Sequence, residues 1–174
     1  MFKQLRIKFH DMATITTLCN VAEQYALKRN EEIPGAEHFL LAALDLEEGS
    51  AKRVFKNLGV NPDEFNLAIS NQYADALASL GITMIATENV VNKAAQKPNS
   101  ILYETKASAQ DLMQSLAKRK DKNIPLQGVH VLEVICTMQE GVAIRALKAI
   151  NVDLSDLQQA VLTELNAKEI EEVS

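Results

Sequence analysis

Glu37-His38-Phe39-Leu40-Leu41-Ala42-Ala43-Leu44-Asp45-Leu46-Glu47-Glu48-Gly49-Ser50-Ala51-Lys52-Arg53-Val54-Phe55-Lys56-Asn57-Leu58-Gly59-Val60 decides the fold, because most of it returns later in the chain. His130 to Val152 repeats His38 to Val60 without a gap, at an offset of 130 minus 38, or 92 positions. Of the 23 aligned pairs, 8 are identical: His38/His130, Leu40/Leu132, Glu48/Glu140, Gly49/Gly141, Ala51/Ala143, Arg53/Arg145, Lys56/Lys148 and Val60/Val152. Average composition gives about one or two such matches. A repeat of this strength has to be read before any single residue.

The repeated unit is a helix, a glycine-marked turn and a second helix. Leu40, Leu41 and Leu44 line one side of the first helix, and Ala51, Val54, Phe55 and Leu58 follow helical spacing on the second. The copy keeps the pattern with Ala143, Ala146, Leu147 and Ile150. Gly49 and Gly141 fall where the chain reverses and a positive φ is favoured.

Composition points the same way. The 174 residues are 47% apolar and 24% charged, which is the balance of a soluble globular domain. Only 6 glycines and 4 prolines interrupt a chain rich in Ala and Leu, so helix is favoured. The net charge of -5 argues against a general nucleic-acid binder. The one basic run, Lys118-Arg119-Lys120-Asp121-Lys122, reads as the solvated end of a helix. No apolar run approaches a membrane span and the first residues lack a signal-peptide pattern, so a cytoplasmic location is expected, with Cys19 and Cys136 as free buried thiols.

In chain order, Leu5, Ile7 and Phe9 alternate with Arg6 and Lys8, which suits an extended arm over residues 1–11. Ile15, Leu18, Cys19, Ala22 and Ala26 then mark a helix from Met12 to about Lys28, closed by Asn30 and Ile33-Pro34-Gly35. Asn61-Pro62-Asp63-Glu64 has the form of a helix start and opens a helix that runs to near Gly81. Repeat 1 thus covers about 12–81 in four helices, and 84–100 is a linker. Repeat 2 covers about 101–168, beginning with a helix from about Leu102 to Arg119 and ending with one capped by Asp153; 169–174 is an acidic tail. Neither four-helix unit can bury its apolar side alone, so the copies should pack about a pseudo-twofold axis into one all-α domain with a groove along the seam.

These residues resemble the Clp repeat, the double module that precedes the AAA+ rings of ClpA, ClpC and ClpB. The Glu-His-hydrophobic-Leu-Leu-x-x-Leu signature stands as Glu37 to Leu44, and Gly-x-Ala-x-x-hydrophobic-hydrophobic-x-x-Leu-Gly-Val as Gly49 to Val60; Phe9-His10-Asp11-Met12-Ala13 resembles the family's first-helix opening. The second copy departs from the pattern, with Val129 in place of the Glu and Glu133 where a core leucine is expected. The Thr that commonly caps these helices is replaced by Ala36 and Gly128. No Gly-x-x-x-x-Gly-Lys-Ser/Thr phosphate loop occurs, so ATP hydrolysis by that route is not expected.

The resemblance implies a non-enzymatic protein-binding module of the Clp quality-control system. Its partners would be a Clp-type AAA+ ATPase, a protease or an adaptor protein, together with unfolded or tagged substrate peptides. In ClpC-type members the signature Glu and groups near the helix opening recognise phosphorylated arginine. Carried over, Glu37 with His10 and Asp11 makes the first site, and Glu104 and Lys106 are the charges nearest the second. The residue-level alternative for Glu37 is an acid that favours the helix dipole.

No cofactor, metal or membrane partner is expected from the residues themselves. His10, His38 and His130 lack metal-ligand spacing, and Cys136 with His130 falls at a core position that would leave the thiol inert. The alternative functions are a structural accessory subunit that binds no substrate, and the N-terminal part of a full-length unfoldase.

Overall fold

The computed structural model describes residues 2–79, 106–119 and 124–173, with side chains up to 167. Eight helices occur among these residues: α1 Phe2–Lys28, α2 Ala36–Asp45, α3 Ser50–Asn57, α4 Pro62–Ser79, α5 Ala107–Ala117, α6 Gly128–Thr137, α7 Val142–Ala149 and α8 Leu154–Val173. α2 and α3 carry the first copy of the repeated stretch and α6 and α7 the second, and the fold is all-α as expected. The 84–100 linker, the end of the first repeat near Gly81 and Glu104 lie outside the described residues.

Residues 2–11 correct the expectation of an extended arm, since they form the first turns of α1. The alternation at 5, 7 and 9 fits a strand, but Ile7 also begins the helical series 7, 14, 18, 22, 26 that is buried along α1. Burial of that series decides the conformation, and it leaves Leu5 and Phe9 exposed on the other side. The second long helix also starts later than expected, at Ala107, because Lys106 has an extended ψ of 150°.

α2 and α6 are the two helices of the repeated signature, and they form the centre. The first nine residues of α2 are all buried, as befits a helix apolar on every side. In α6, Glu133 is exposed where its counterpart Leu41 is buried, which explains how the second copy tolerates a charge there. The repeats interlock, with α2 against α6, α3 against α6 and α8, and α4 against α7.

Turn chemistry fixes the corners. After α3, Gly59 takes a φ of 69° and Val60 N–H reaches back to Phe55 O at 2.9 Å. After α7 the equivalent Asn151 takes a φ of 59°, and Val152 N–H bonds Leu147 O at 3.0 Å. Asn and Gly are the residues that enter the left-handed region at low cost, so the two copies solve the same turn with different residues. The expected helix starts also hold: Asn61 Oδ1 accepts from Asp63 N at 2.9 Å, and Asp153 Oδ1 from Ser155 N at 2.7 Å.

Candidate functional site

The opening of α2 holds a buried charge cluster. Glu37 is 2% exposed in the first turn of α2, and His38 beside it is fully enclosed. Tyr73 of α4 donates its hydroxyl to Glu37 Oε1 at 2.5 Å. Lys106, from the second repeat, donates to that same hydroxyl at 2.8 Å, lies 4.9 Å above the Tyr73 ring and pairs with Glu31. Two carboxylates therefore share one ammonium, Glu31 by direct contact and Glu37 both at 3.6 Å and through the Tyr73 hydroxyl. Burial and the Glu37 carboxylate push the Tyr73 hydroxyl strongly up, so it stays a donor.

The second repeat contributes more than this ammonium to the α2 opening. Lys106 N–H bonds Pro34 O at 3.3 Å, and Ser108 Oγ accepts from Ala36 N–H at 3.3 Å. The hydroxyl missing from position 36 is thus supplied by α5. His38 Nδ1 accepts from Gly35 N–H at 3.0 Å, which satisfies a further orphan donor.

The opening of α6 is completed by the first repeat in the same way. Asp11 of α1 accepts from Leu126 N–H at 2.6 Å and pairs with Arg119 at 3.5 Å. Glu48 accepts from Gly128 N–H at 2.7 Å, and Ser50 Oγ from Val129 N–H at 2.9 Å. Arg53 ties this corner to α8 through Glu164, with Nε to Oε1 at 2.8 Å.

His130 sits beneath this opening with Nε2 accepting from Arg119 Nη1 at 3.0 Å, so a neutral ring carries its hydrogen on Nδ1, which faces Gln127 O at 3.3 Å. A protonated ring would turn a second N–H toward the Arg119 guanidinium. Burial first, then the Arg119 charge, lowers the His130 pKa from 6.5 to about 4. Above pH 6.5 the ring is neutral in both folded and unfolded chains, so the contribution is fully present. Between the unfolded value and about 4 the unfolded chain takes up a proton that the folded one refuses, and stability falls as pH falls. The expected loss across that window is about 2–3 kcal/mol. His38, also lowered by burial, acts with the same sign. Urea midpoints measured from pH 7.5 to 4 should show the loss, and His130→Gln should flatten the slope over this window even if it lowers the midpoint at pH 7.5.

The five residues singled out from sequence are divided differently from the expected sites. Glu37 does not group with His10 and Asp11; it shares its cluster with Lys106, Glu31 and Tyr73. Asp11 serves the second copy's opening. His10 is exposed and borders an open groove of about 400 Å³ with Phe2, Arg6, Ile7 and Pro125. Glu31, Tyr73 and Arg119 were missed. Arg119 belongs to the basic run read as solvated, yet its side chain is only 10% exposed. The available signal for Tyr73 was its alignment with Leu165, which sets a polar-tipped aromatic at an apolar position of the repeat.

Glu31, Glu37 and His38 bring one ligand atom each within 4.8 Å, yet the set does not suit a metal. His38 Nδ1 already accepts the Gly35 N–H, so a neutral ring carries its hydrogen on Nε2, facing Glu31 at 3.5 Å. That leaves no lone pair for an ion, and Lys106 already supplies positive charge. Nor does a thiol nucleophile arise. Burial, helped by Glu133, raises Cys136 to about 11, and Cys19 is likewise raised by burial.

Eight helices among the described residues, interlocked at α2 and α6 and completed reciprocally at the two helix openings, define an all-α fold. The family model described as "Clp repeat (R) N-terminal domain" matches residues 14–112, more than half of the chain, and the protein belongs to that family. The Clp N-domain is a non-catalytic domain. Among solved structures, the N-terminal domain of the chaperone ClpD from Arabidopsis thaliana is similar at a TM-score of 0.52 and 15% identity, covering 90% of this chain and 92% of that one. The likeness establishes the shared fold. No curated protein matches the sequence. No helix among the described residues is long and apolar enough to cross a membrane.

Proposed function

We propose that this chain is a non-enzymatic binding module of the cytoplasmic Clp quality-control system, which receives a substrate or adaptor segment and docks on or modulates a Clp ATPase or protease. The division into repeats at about 12–81 and 101–168, joined by 84–100, belongs to this reading. The observation that carries it is the Glu31–Glu37–Tyr73 cluster at the α2 opening, built around a positive charge. Its resident cation, Lys106, is itself 37% exposed. A basic side chain from a bound segment can enter as Lys106 swings out, exchanging one cation for another and leaving neither carboxylate unpaired. A guanidinium suits two carboxylates better than an ammonium does, because it donates in a planar fork.

Titration calorimetry with arginine peptides, phosphorylated and plain, tests this. Lys106→Ala removes the internal competitor and should tighten binding about tenfold, or about 1.4 kcal/mol. Glu37→Gln should abolish binding, whereas His10→Ala should leave it unchanged. Affinities indifferent to both Lys106 and Glu37 would move the ligand away from the α2 opening.

A further inference from the structure

The first turns of α1 carry an exposed apolar stripe. Phe2, Leu5, Phe9 and Met12 are 90%, 52%, 64% and 66% exposed. Their spacing of 3, 4 and 3 is that of positions a, d, a and d in two heptads. The helix is anchored from its opposite side, where Ile7 is 7% exposed and Thr14 and Leu18 are buried. The seam therefore stands outward on a helix already formed. A partner need not provide the cost of nucleating it.

The flanks specify the partner. In this register Arg6 takes position e and Lys8 position g. Residues 2–10 contain Lys3, Arg6 and Lys8 and no acid, within a chain of net charge -5. Pairing two copies along this seam sets cation against cation in either orientation, since e and g are both basic. A narrow a/d stripe matches the seam of a helix, whereas a helix lying in a lipid interface presents a broader apolar face.

We infer that α1 docks an amphipathic helix of another protein, with apolar a and d positions and Glu or Asp at e and g, through Phe2, Leu5, Phe9 and Met12 flanked by Arg6 and Lys8. This surface is separate from the α2 opening. The two can fail independently.

The test uses the full chain and a labelled three-heptad peptide with Leu at a and d and Glu at e and g, followed by fluorescence anisotropy. Saturable binding is expected, weakened about tenfold or more by the exposed double change Leu5→Asp/Phe9→Asp. Arg6→Glu/Lys8→Glu should reverse the preference toward the same peptide with Lys at e and g. Glu37→Gln should leave the interaction intact, which separates it from the α2 opening. Failure to bind the Glu peptide, or equal binding of the two peptides by the unmodified chain, overturns the inference. Co-sedimentation with anionic phospholipid vesicles in place of peptide binding overturns it in favour of a membrane face. A dimer in sedimentation velocity that Phe9→Asp dissolves overturns it in favour of self-association.

Discussion

Gly128→Val should destabilise the fold by about 3 kcal/mol, read as a fall in the urea midpoint. Gly128 is the first residue of α6, where that helix meets the α2–α3 corner. A Cβ there would stand 2.7 Å from Ala43 O, 3.1 Å from Ala51 Cβ and 3.2 Å from Glu48 Oε1. The nearest of these atoms is backbone inside a buried helix and cannot rotate aside. Relief requires α6 to withdraw, which stretches the 2.7 Å bond from Gly128 N–H to Glu48 and opens the packing at α2. A loss below about 1 kcal/mol would mean that the seam yields more readily than its burial suggests.

Phe55→Ala should cost about 3–5 kcal/mol, a large part of the stability typical of a single domain. Phe55 is 1% exposed and meets Phe65 edge to face, with ring centroids 5.8 Å apart at 87°. Truncation removes the ring from the junction of α3 and α4, where helices fixed by their own turns cannot collapse into the gap. Phe55→Leu should cost only about 1 kcal/mol, because the gap it leaves is much smaller. Leu147 at the equivalent place in the second copy is fully buried and shows that the repeat accepts leucine there. Thermal or urea unfolding of the two variants distinguishes these cases.

Much of the fold was legible because repetition checks itself. His38 to Val60 and His130 to Val152 give the same helices twice, and Asn61-Pro62 and Asp153 announce the helices that follow. Residues 2–11 misled because Leu5, Ile7 and Phe9 alternate like a strand, whereas in the helix Ile7 lies on the opposite side from the other two; only the buried continuation through Thr14 and Leu18 reveals which holds. The site was less legible for a different reason. The resemblance put Glu37 with His10 and Asp11 because all three lie near helix openings of the first copy. The packing of α1, α2 and α5 instead brings Lys106 to Glu37 and Asp11 to Leu126, contacts spanning sequence distances that no local pattern encodes. Arg119 shows the same limit, since its burial depends on the loop at Ile124 and on His130.

The reciprocal completion of the two helix openings also constrains the order in which the molecule matures on the ribosome. When the first repeat has emerged, Glu31 and Glu37 are present but the ammonium of Lys106 and the hydroxyl of Ser108 are not yet made. The acidic mouth thus lacks its own counter-ion for the time taken to synthesise the intervening chain. Only the arrival of α5 closes it, while α6 in turn settles onto Asp11, Glu48 and Ser50 that have waited since the start of translation. A chain cut back to the first four helices would keep Glu31 and Glu37 but lose Lys106 and Ser108, leaving the α2 opening half-built.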